Sequence, residues 1–295
     1  TKVPLAVPPY DWEEVVEALD SLLSMNTTMG SKVRKFEERF ASYIGAKYAI
    51  MTNSGSSANL LGLSILSNAV LSKRIQPGDE IITPALTWAT TVYPIANIGA
   101  KPVFVDVDLK TRNIDPEKIE LAISRKTKAI MPVHLLGYPC NMKSILKIAR
   151  KKDLFVIEDA CEAHGSEFLG KKVGSFGDVA SFSFFASHHI TTMEGGMLVT
   201  SNEEFYEIGK SLRAFGWVRD LKHKSQHVKK SPHIDPRFLF INTGYNMRPT
   251  EIQGAFGIHQ IKKLDKLIQI RIDIANYSNL KLSPYSEYLI LQLIL

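Results

Sequence analysis

Short apolar runs alternate with amphipathic stretches along most of the chain. The runs are rich in valine, isoleucine and phenylalanine, which is typical of strands buried on both faces of a sheet. Predicted strands cover residues 47–53, 79–85, 101–108, 128–135, 154–160, 179–185 and 196–201. Predicted helical segments cover residues 57–70, 88–98, 116–124 and 142–152. This alternation predicts an α/β protein with a mostly parallel sheet that is covered by helices.

Length and cysteine content limit the class of protein. The 295 residues suffice for one large domain, or for a large and a small one. No apolar run is long enough for a transmembrane helix and no secretory leader is recognised, so we expect no membrane association. The two cysteines, Cys140 and Cys161, favour a reducing cytoplasm over a disulfide framework.

The net charge of +6 raises the question of a nucleic-acid partner. Much of the excess lies in residues 219–237 and not in a stripe interleaved with aromatic side chains. We therefore expect no nucleic-acid partner. The segment is interpreted as a solvated basic loop, or as a loop that meets a diphosphate-bearing small molecule.

Candidate ligand-binding residues follow the predicted strands, at the edge where open parallel sheets bind ligands. The turn formed by Ser54, Gly55, Ser56 and Ser57 opens a helix, where free amides and hydroxyls suit a phosphate. A plain helix cap is the alternative for this turn. Trp88 follows the second strand, where an indole either covers a flat ligand or is half-buried in the core.

Asp159 ends the predicted strand over residues 154–160. A carboxylate there is costly unless it meets a positive partner, and the protonated ring nitrogen of a pyridoxal is such a partner. Capping of the next turn is the alternative. The phosphate turn, Trp88, Asp159 and the serine-rich strand over residues 179–185, taken together and in this order, predict a site for pyridoxal 5′-phosphate (PLP).

Six separated motifs resemble those of the DegT-type nucleotide-sugar aminotransferases, which are PLP enzymes of the aspartate-aminotransferase fold (fold type I). They are NSGSSANLLGL, EIITPALTWATT, PVFVDVDLKTRNIDPEKIE, AIMPVHLLGYP, VIEDACEAHGSEFLGKKVGSFGDVASFSFF and GGMLVT, within a resemblance that covers about residues 4–273. The resemblance implies cofactor-binding roles for Gly55, Ser56, Ser57 and Ser183 at the phosphate, Trp88 on the ring and Asp159 at the pyridinium nitrogen. It also implies that Asn246 reaches the phosphate of the neighbouring subunit, so that the site needs a homodimer.

The resemblance further implies a division of the chain. An N-terminal arm and helix over residues 1–30 precede a large PLP-binding domain over residues 31–240. Residues 241–295 form a helical link and the start of a small C-terminal domain. Because family members usually continue further, we expect this small domain to be truncated or divergent here.

One position departs from the aminotransferase pattern. In these enzymes the residue five beyond the serine at 183 is the lysine that binds PLP covalently, and His188 stands there in this chain. An imidazole has no primary amine to condense with the aldehyde, and no lysine lies between Lys172 and Lys210. Three interpretations remain for His188: a core histidine in an inactive relative, a general base in altered chemistry, or a ligand-binding residue.

The segment HHITTMEGG resembles a branch of the family with this substitution, the sugar 3-dehydratases that use pyridoxamine 5′-phosphate (PMP). That branch also has an acid at the position of Glu162, where the aminotransferases usually have glutamine. We therefore favour an active dehydratase, in which His188 is the base and Asp159 keeps the ring protonated. Glu162 is assigned to the cofactor phenolate or to a water. Which of His188 and His189 faces the cofactor is left open.

The resemblance implies a reaction and its partners. The 3-hydroxyl of a nucleotide-linked 4-keto-6-deoxyhexose is removed, in the biosynthesis of the 3,6-dideoxysugars of lipopolysaccharide O-antigens. One style of the branch uses a CDP-sugar and a [2Fe–2S] cluster, which needs four cysteines, so the two cysteines of this chain exclude it. The other uses a GDP-sugar with L-glutamate as amino donor, and AFGWVRDL resembles it more closely. No metal site is predicted. A nucleotide-sugar aminotransferase and a non-catalytic PLP-fold relative are the alternatives.

Overall fold

Seven strands form one mixed sheet in the computed structural model, which describes residues 7–291. The strands of the protein are β1 (Tyr48–Thr52), β2 (Glu80–Pro84), β3 (Lys101–Val105), β4 (Thr127–Ile130), β5 (Phe155–Asp159), β6 (Glu167–Phe168), β7 (Lys171–Lys172), β8 (Val179–Ser183) and β9 (Gly196–Thr200). The order in the large sheet is β1-β9-β8-β5-β4-β2-β3, while β6 and β7 pair separately. Only β9 runs antiparallel to its neighbours β1 and β8 within this sheet. The prediction of a mostly parallel sheet is confirmed.

Helices cover both faces of the sheet. They are α1 (Trp12–Leu23), α2 (Ser31–Ile44), α3 (Gly55–Leu66), α4 (Ala89–Asn97), α5 (Pro116–Ala122), α6 (Met142–Lys152), α7 (Glu203–Arg213), α8 (Lys224–Lys230) and α9 (Glu251–Leu282). The predicted basic segment over residues 219–237 contains α8 and lies at the surface. No helix within residues 7–291 is long and apolar enough to cross a membrane.

The predicted elements are all present, but several boundaries were wrong, among them the end of α3 at Leu66 and the end of β3 at Val105. Helix α3 begins at Gly55, before the predicted residue 57, because the side chain of Ser54 accepts a hydrogen bond from the backbone of Ser57 (3.1 Å) and caps the first turn. The predicted strand over residues 128–135 ends early, at Ile130. Its continuation turns away through Leu136, whose φ of 53° is left-handed.

An aromatic cluster lies between the sheet and the layer formed by α2 and α9. Phe36, Phe40, Phe182 and Phe184 are fully buried, and their ring centroids lie 5.0 to 5.9 Å apart in the contacting pairs. Burial of a phenylalanine side chain contributes roughly 1.5–3 kcal/mol. The cluster lies directly behind Ser183, so it fixes the end of β8.

Helix α9 contacts two other helices, α1 and α2. At its first turn, Glu251 accepts hydrogen bonds from the backbone N–H groups of Gly30 and Lys32 (both 2.7 Å) and so caps α2. Further along, α9 packs against α1 and α2. The division at residues 30 and 240 stays a prediction, and its outermost residues, 1–6 and 292–295, lie outside the described part of the chain.

Candidate active site

The predicted phosphate turn joins β1 to α3. The hydroxyl of Ser54 lies 3.0 Å from that of Ser57, and the hydroxyl of Ser56 donates to Thr90 Oγ1 (2.9 Å). These hydroxyls surround the N-terminus of α3, which carries the partial positive charge of the helix dipole. Helix-terminal amides and three hydroxyls form a donor set that suits a phosphate group.

Close backbone packing brings the end of β8 to this turn. A Cβ atom on Gly55 would lie 2.5 Å from Cβ of Ser183, so no other residue fits without movement of β8. Gly196 at the start of β9 is equally confined, because its Cβ would lie 2.2 Å from the carbonyl oxygen of Ser54. The structure therefore brings the predicted residues Gly55 and Ser183 together.

Asp159 is a buried carboxylate at the end of β5, with 5% of its surface exposed. Its Oδ2 accepts hydrogen bonds from Asn59 Nδ2 (2.9 Å) and Thr91 Oγ1 (2.8 Å), and its Oδ1 accepts one from the backbone of Cys161 (3.2 Å). No cationic side chain within residues 7–291 forms an ion pair with it. A protonated ring nitrogen would supply the positive charge that this buried anion needs, so the residues present fit a pyridoxal cofactor.

The predictions from sequence missed Asn59 and Thr91. The hydroxyl of Ser181 on β8 donates to Asn59 Oδ1, which orients the amide so that its Nδ2 points at Asp159. Asn59 is a buried polar residue on the otherwise largely apolar helix α3. That exception to the apolar pattern was the available signal.

Trp88 lies at the N-cap position of α4, just beyond the end of β2. Its side chain is 74% exposed, so the alternative of a half-buried core tryptophan is wrong. A large exposed indole beside a buried carboxylate and a phosphate turn is free to cover a flat ligand.

His188 lies in the connection between β8 and β9. Its N–H donates to the carbonyl of Phe185 (3.0 Å). Arg271 of α9 donates to the carbonyl oxygens of Ser187 (3.1 Å) and His188 (2.8 Å). The backbone around the histidine is therefore fixed from a distant helix.

Three histidines cluster at this loop. The ring centroid of His164 lies 5.1 Å from that of His189 and 6.2 Å from that of His188. No hydrogen bond of ordinary geometry within the described part of the chain reaches either ring nitrogen of His164 or Nδ1 of His189. His189 is thus packed against His164, on the core side of the loop.

The environment keeps these imidazoles neutral. Burial, together with the positive charge of Arg271 and the neighbouring His188, lowers the pKa of His189 to about 3. Burial and the neighbouring histidines lower the pKa of His164 well below its ordinary value. Burial and Arg271 also lower the pKa of His188, while the carboxylate of Asp159 acts in the opposite direction.

Glu162 is less closely tied to the other predicted residues. Its Oε2 accepts a hydrogen bond from the backbone N–H of Leu136 (2.8 Å), in the connection after β4. Within residues 7–291 it forms no hydrogen bond with His188 or Asp159. The structure thus places Glu162 on the loop after β5 without joining it to the base.

Asn246 lies at the surface beside the same edge of the sheet. Its Oδ1 accepts a hydrogen bond from Arg248 Nε (3.0 Å), and the next residue, Met247, accepts one from the backbone of Asn53 (3.0 Å). The Asn246 segment is therefore fixed next to the residue that precedes the phosphate turn.

A basic cavity of about 350 Å³ is lined in part by Arg248, the hydrogen-bond partner of Asn246. Its charged lining residues are Arg34, Glu37, Lys210, Arg213, Arg219, Asp220 and Arg248. Arg213 pairs with Glu37, and Lys210 pairs with Glu207 (2.7 Å). The excess of positive charge, together with the ring of Trp217, suits an anionic ligand that carries an aromatic group.

The two cysteines lie in different surroundings. Cys140 is buried and its Sγ donates to the carbonyl of Val133 (3.1 Å), whereas Cys161 is half-buried with its Sγ 4.0 Å from Ser181 Oγ. In the part of the chain that the structure describes, no group of three or more His, Cys, Asp or Glu side chains is arranged to hold a metal ion.

The chain is similar in sequence to two named 3-dehydratases. The GDP-4-keto-6-deoxy-D-mannose 3-dehydratase of Escherichia coli O55:H7 is 45% identical over 289 residues, which are 96% of this chain and 74% of that protein. The protein of the same name from Yersinia pseudotuberculosis is 44% identical over 272 residues, or 91% of this chain and 68% of that protein.

The fold is shared with solved structures of such enzymes. An E. coli GDP-4-keto-6-deoxy-D-mannose-3-dehydratase with bound hydrated PLP has a TM-score of 0.90 and 43% identity, and the match covers 96% of this chain and 73% of that one. The predicted aspartate-aminotransferase fold is confirmed. The family model of the DegT/DnrJ/EryC1/StrS aminotransferases matches residues 9–293, and the chain therefore belongs to that family.

Proposed function

We propose that this chain is a PLP/PMP-dependent dehydratase that removes the 3-hydroxyl of a nucleotide-linked 4-keto-6-deoxyhexose in dideoxysugar biosynthesis. The observation that carries the proposal is an imidazole at position 188, in the loop after Ser183, in a protein whose strand β5 ends in the buried carboxylate of Asp159, which pairs with no cationic side chain within residues 7–291. A lysine in this loop would indicate an aminotransferase, and none lies between Lys172 and Lys210. The related 3-dehydratases from two bacteria support the same conclusion.

The chain's residues divide the binding of the cofactor among them. Gly55, Ser56, Ser57 and Ser183 bind its phosphate, Trp88 packs on its ring, and Asp159 pairs with its ring nitrogen. When bound, PMP supplies an amine that condenses with a ketone and a ring that accepts an electron pair. We expect the cofactor to be bound noncovalently, because the imidazole at position 188 has no primary amine that could condense with the cofactor's aldehyde.

His188 moves the proton in this proposal. A base must be unprotonated before it acts, and burial with the nearby charge of Arg271 lowers the pKa of His188, so its lone pair is free near neutrality. The same imidazole returns a proton to the departing 3-hydroxyl. Asp159, already held by Asn59 and Thr91, accepts the hydrogen bond of the protonated ring nitrogen. Glu162 orients a water or the cofactor phenolate.

The basic cavity supports a substrate whose anionic group is a nucleoside diphosphate. Arg34, Arg219 and Arg248 line it, and the related enzymes are named for a GDP-sugar, so we propose a GDP-linked 4-keto-6-deoxymannose with L-glutamate as amino donor. Arg219 also begins the basic segment that was interpreted as a solvated loop or as a loop that meets a diphosphate, and its place in the cavity favours the second interpretation.

A homodimer is part of the proposal. Asn246 is exposed, and Trp88 has most of its surface open, so a second subunit would complete the wall of the site. In this arrangement Asn246 binds the phosphate held by the partner subunit. The two unpaired cysteines are consistent with a cytoplasmic location.

The test is the product formed from GDP-4-keto-6-deoxymannose with PLP and L-glutamate. A dehydratase gives a sugar that has lost one oxygen, with ammonia and 2-oxoglutarate released in equal amounts. An aminotransferase gives an amino sugar and 2-oxoglutarate without ammonia. Mass spectrometry of the sugar and an enzymatic ammonia assay separate the two. A chain that binds PLP but alters no sugar would be the non-catalytic relative, and the proposal would be wrong.

A further inference from the structure

The loop that carries His188 depends on side chains from elsewhere in the fold. Between the end of β8 and the start of β9, the chain forms neither helix nor strand around the histidine, so no regular ladder supplies donors to the carbonyl groups of Ser187 and His188. The guanidinium of Arg271 supplies them, because its Nη2 lies 3.1 Å from the Ser187 oxygen and 2.8 Å from the His188 oxygen.

The helix that carries Arg271 is itself well fixed. Gln260, one of its fully buried residues, accepts a hydrogen bond from the backbone of Thr191 (3.0 Å) and donates to the carbonyl of Pro9 (3.0 Å) and to Glu14 (2.7 Å). At the start of the helix, Glu251 caps α2. Arg271 therefore reaches the loop from a rigid support.

Arg271 also acts on the histidine through its charge. Its positive charge makes protonation of His188 less favourable, whereas Asp159, at the end of β5, favours it. The other titratable groups that face His188 are His164 and His189, which burial keeps neutral. One side chain thus both holds the peptide of the histidine and biases the imidazole towards the form that accepts a proton.

We propose that Arg271 is a positioning residue for the dehydration. It holds the Ser187–His188 backbone so that the imidazole of His188 keeps a fixed orientation towards the candidate cofactor site. The inference rests on the proposed function for its consequence in catalysis, and on the two hydrogen bonds for its geometry. A lysine at position 271 keeps the charge but lacks the planar group that reaches two carbonyls with fixed geometry.

The variants Arg271→Met and Arg271→Lys test this inference in the full chain with PLP and glutamate. We expect Arg271→Met to lower kcat about 10- to 100-fold, because small displacements of a catalytic group cost rates of this order. The acidic limb of its kcat/KM profile should move to higher pH. Arg271→Lys should keep that limb near the wild-type position and lose kcat. Lys266→Met removes a positive charge from the exposed face of the same helix and is the matched control.

A second readout does not need activity. Nitrogen-15 NMR titration of the histidine side chains, with His188→Asn for assignment, should show a higher pKa for His188 in Arg271→Met than in the wild type. An unchanged His188 pKa and an unchanged kcat would overturn the inference. Loss of kcat with an unmoved acidic limb, an unmoved His188 pKa and a lowered melting temperature would assign Arg271 a structural role only, which also overturns it. If the wild type does not dehydrate the sugar, the proposed function fails, while the NMR result still decides the case of Arg271.

Discussion

The side-chain amide of Asn59 donates to the buried carboxylate of Asp159 across 2.9 Å, and Ser181 holds that amide from its other end. We expect Asn59→Ala to weaken PLP binding about 10- to 100-fold, because Asp159 loses one of its donors and a buried hydrogen bond to a charged group contributes about 1.5–3 kcal/mol. Absorbance titration with PLP measures the affinity. Asn68→Ala, just beyond the other end of α3, is the control and should keep the wild-type affinity.

Substitution of His188 tests whether this residue is the general base. His188→Asn should keep the fold and PMP binding but lower the dehydration rate about 100- to 10,000-fold, since general bases contribute that much. Stopped assays of sugar product measure the rate. His189→Asn should be milder, because His189 packs against His164. A larger loss in His189→Asn than in His188→Asn would show that the base is His189.

His188→Lys gives a second and opposite change at this position. It introduces a primary amine, so PLP should become covalently attached, and dehydration should fall as the new amine competes with the amino donor. Borohydride treatment followed by intact-mass measurement should show a pyridoxyl adduct in this variant. The wild type should show none, and an adduct on any wild-type lysine would contradict noncovalent binding.

Substitution of Trp88 should change PLP binding without changing the stability of the fold. Because its side chain is 74% exposed, Trp88→Ala should leave the melting temperature nearly unchanged while it weakens PLP binding. Trp12→Ala, at a tryptophan that is 73% exposed on α1, is a matched control. Equal affinities for PLP in the two variants would remove Trp88 from the cofactor site.

The shared site in a homodimer can be tested by complementation. Asn246→Ala in one subunit and Asp159→Asn in another each inactivate a different half of the site. A mixed dimer of the two variants should regain one intact site, so activity should appear on mixing and subunit exchange. Analytical ultracentrifugation should show a dimer at working concentration. A monomer with wild-type PLP affinity would refute the proposed role of Asn246.

Acidification should destabilise the fold through its buried histidines. Burial, Arg271 and His188 lower the pKa of His189 to about 3 in the folded protein, whereas an unfolded histidine titrates near 6.5. Between these pH values the unfolded chain binds a proton that the folded protein does not. The free energy of unfolding contributed by His189 is therefore intact above about pH 6.5. It falls by about 1.4 kcal/mol per pH unit as the pH drops towards 3.

Urea unfolding at a series of pH values measures this effect. In His189→Gln, the slope of the free energy of unfolding against pH should be smaller below about pH 6.5. The difference in slope from the wild type should reach about 1.4 kcal/mol per pH unit, which corresponds to one proton. His233→Gln, at an exposed position, serves as the control for removal of a histidine. The same pH dependence in His189→Gln as in the wild type would contradict a buried neutral imidazole.

Local patterns were sufficient to predict the sheet and the residues that end its strands. Asp159 and the phosphate turn follow apolar runs directly, so the carboxyl-edge rule for parallel sheets applies to them without knowledge of distant contacts. His188 was found through its spacing from Ser183 and through family resemblance. Its surroundings at that stage were unknown.

Contacts between distant segments could not be predicted in this way. Arg271 reaches a loop 83 residues earlier in the chain, through carbonyl groups that every residue possesses. No side-chain pattern marks such a partner. The early end of β4 has a local cause, because Pro132 has no N–H to donate to the ladder. Pairing with β5 resumes in the same register at Val133, which bridges Asp159, and His134 N donates to the backbone carbonyl oxygen of Asp159 (3.0 Å).

The antiparallel strand β9 has a consequence for how the protein folds. It pairs with β1 in the register that sets Tyr48 opposite Thr200, and it places Gly196 against the carbonyl of Ser54. The pairing of β9 with β1 closes the long loop between Thr52 and Gly196. Loop closure costs conformational entropy before the strand pairing stabilises it, so such contacts form slowly. We therefore expect the phosphate turn to be completed late in refolding, so that tight PLP binding appears after most of the secondary structure has formed.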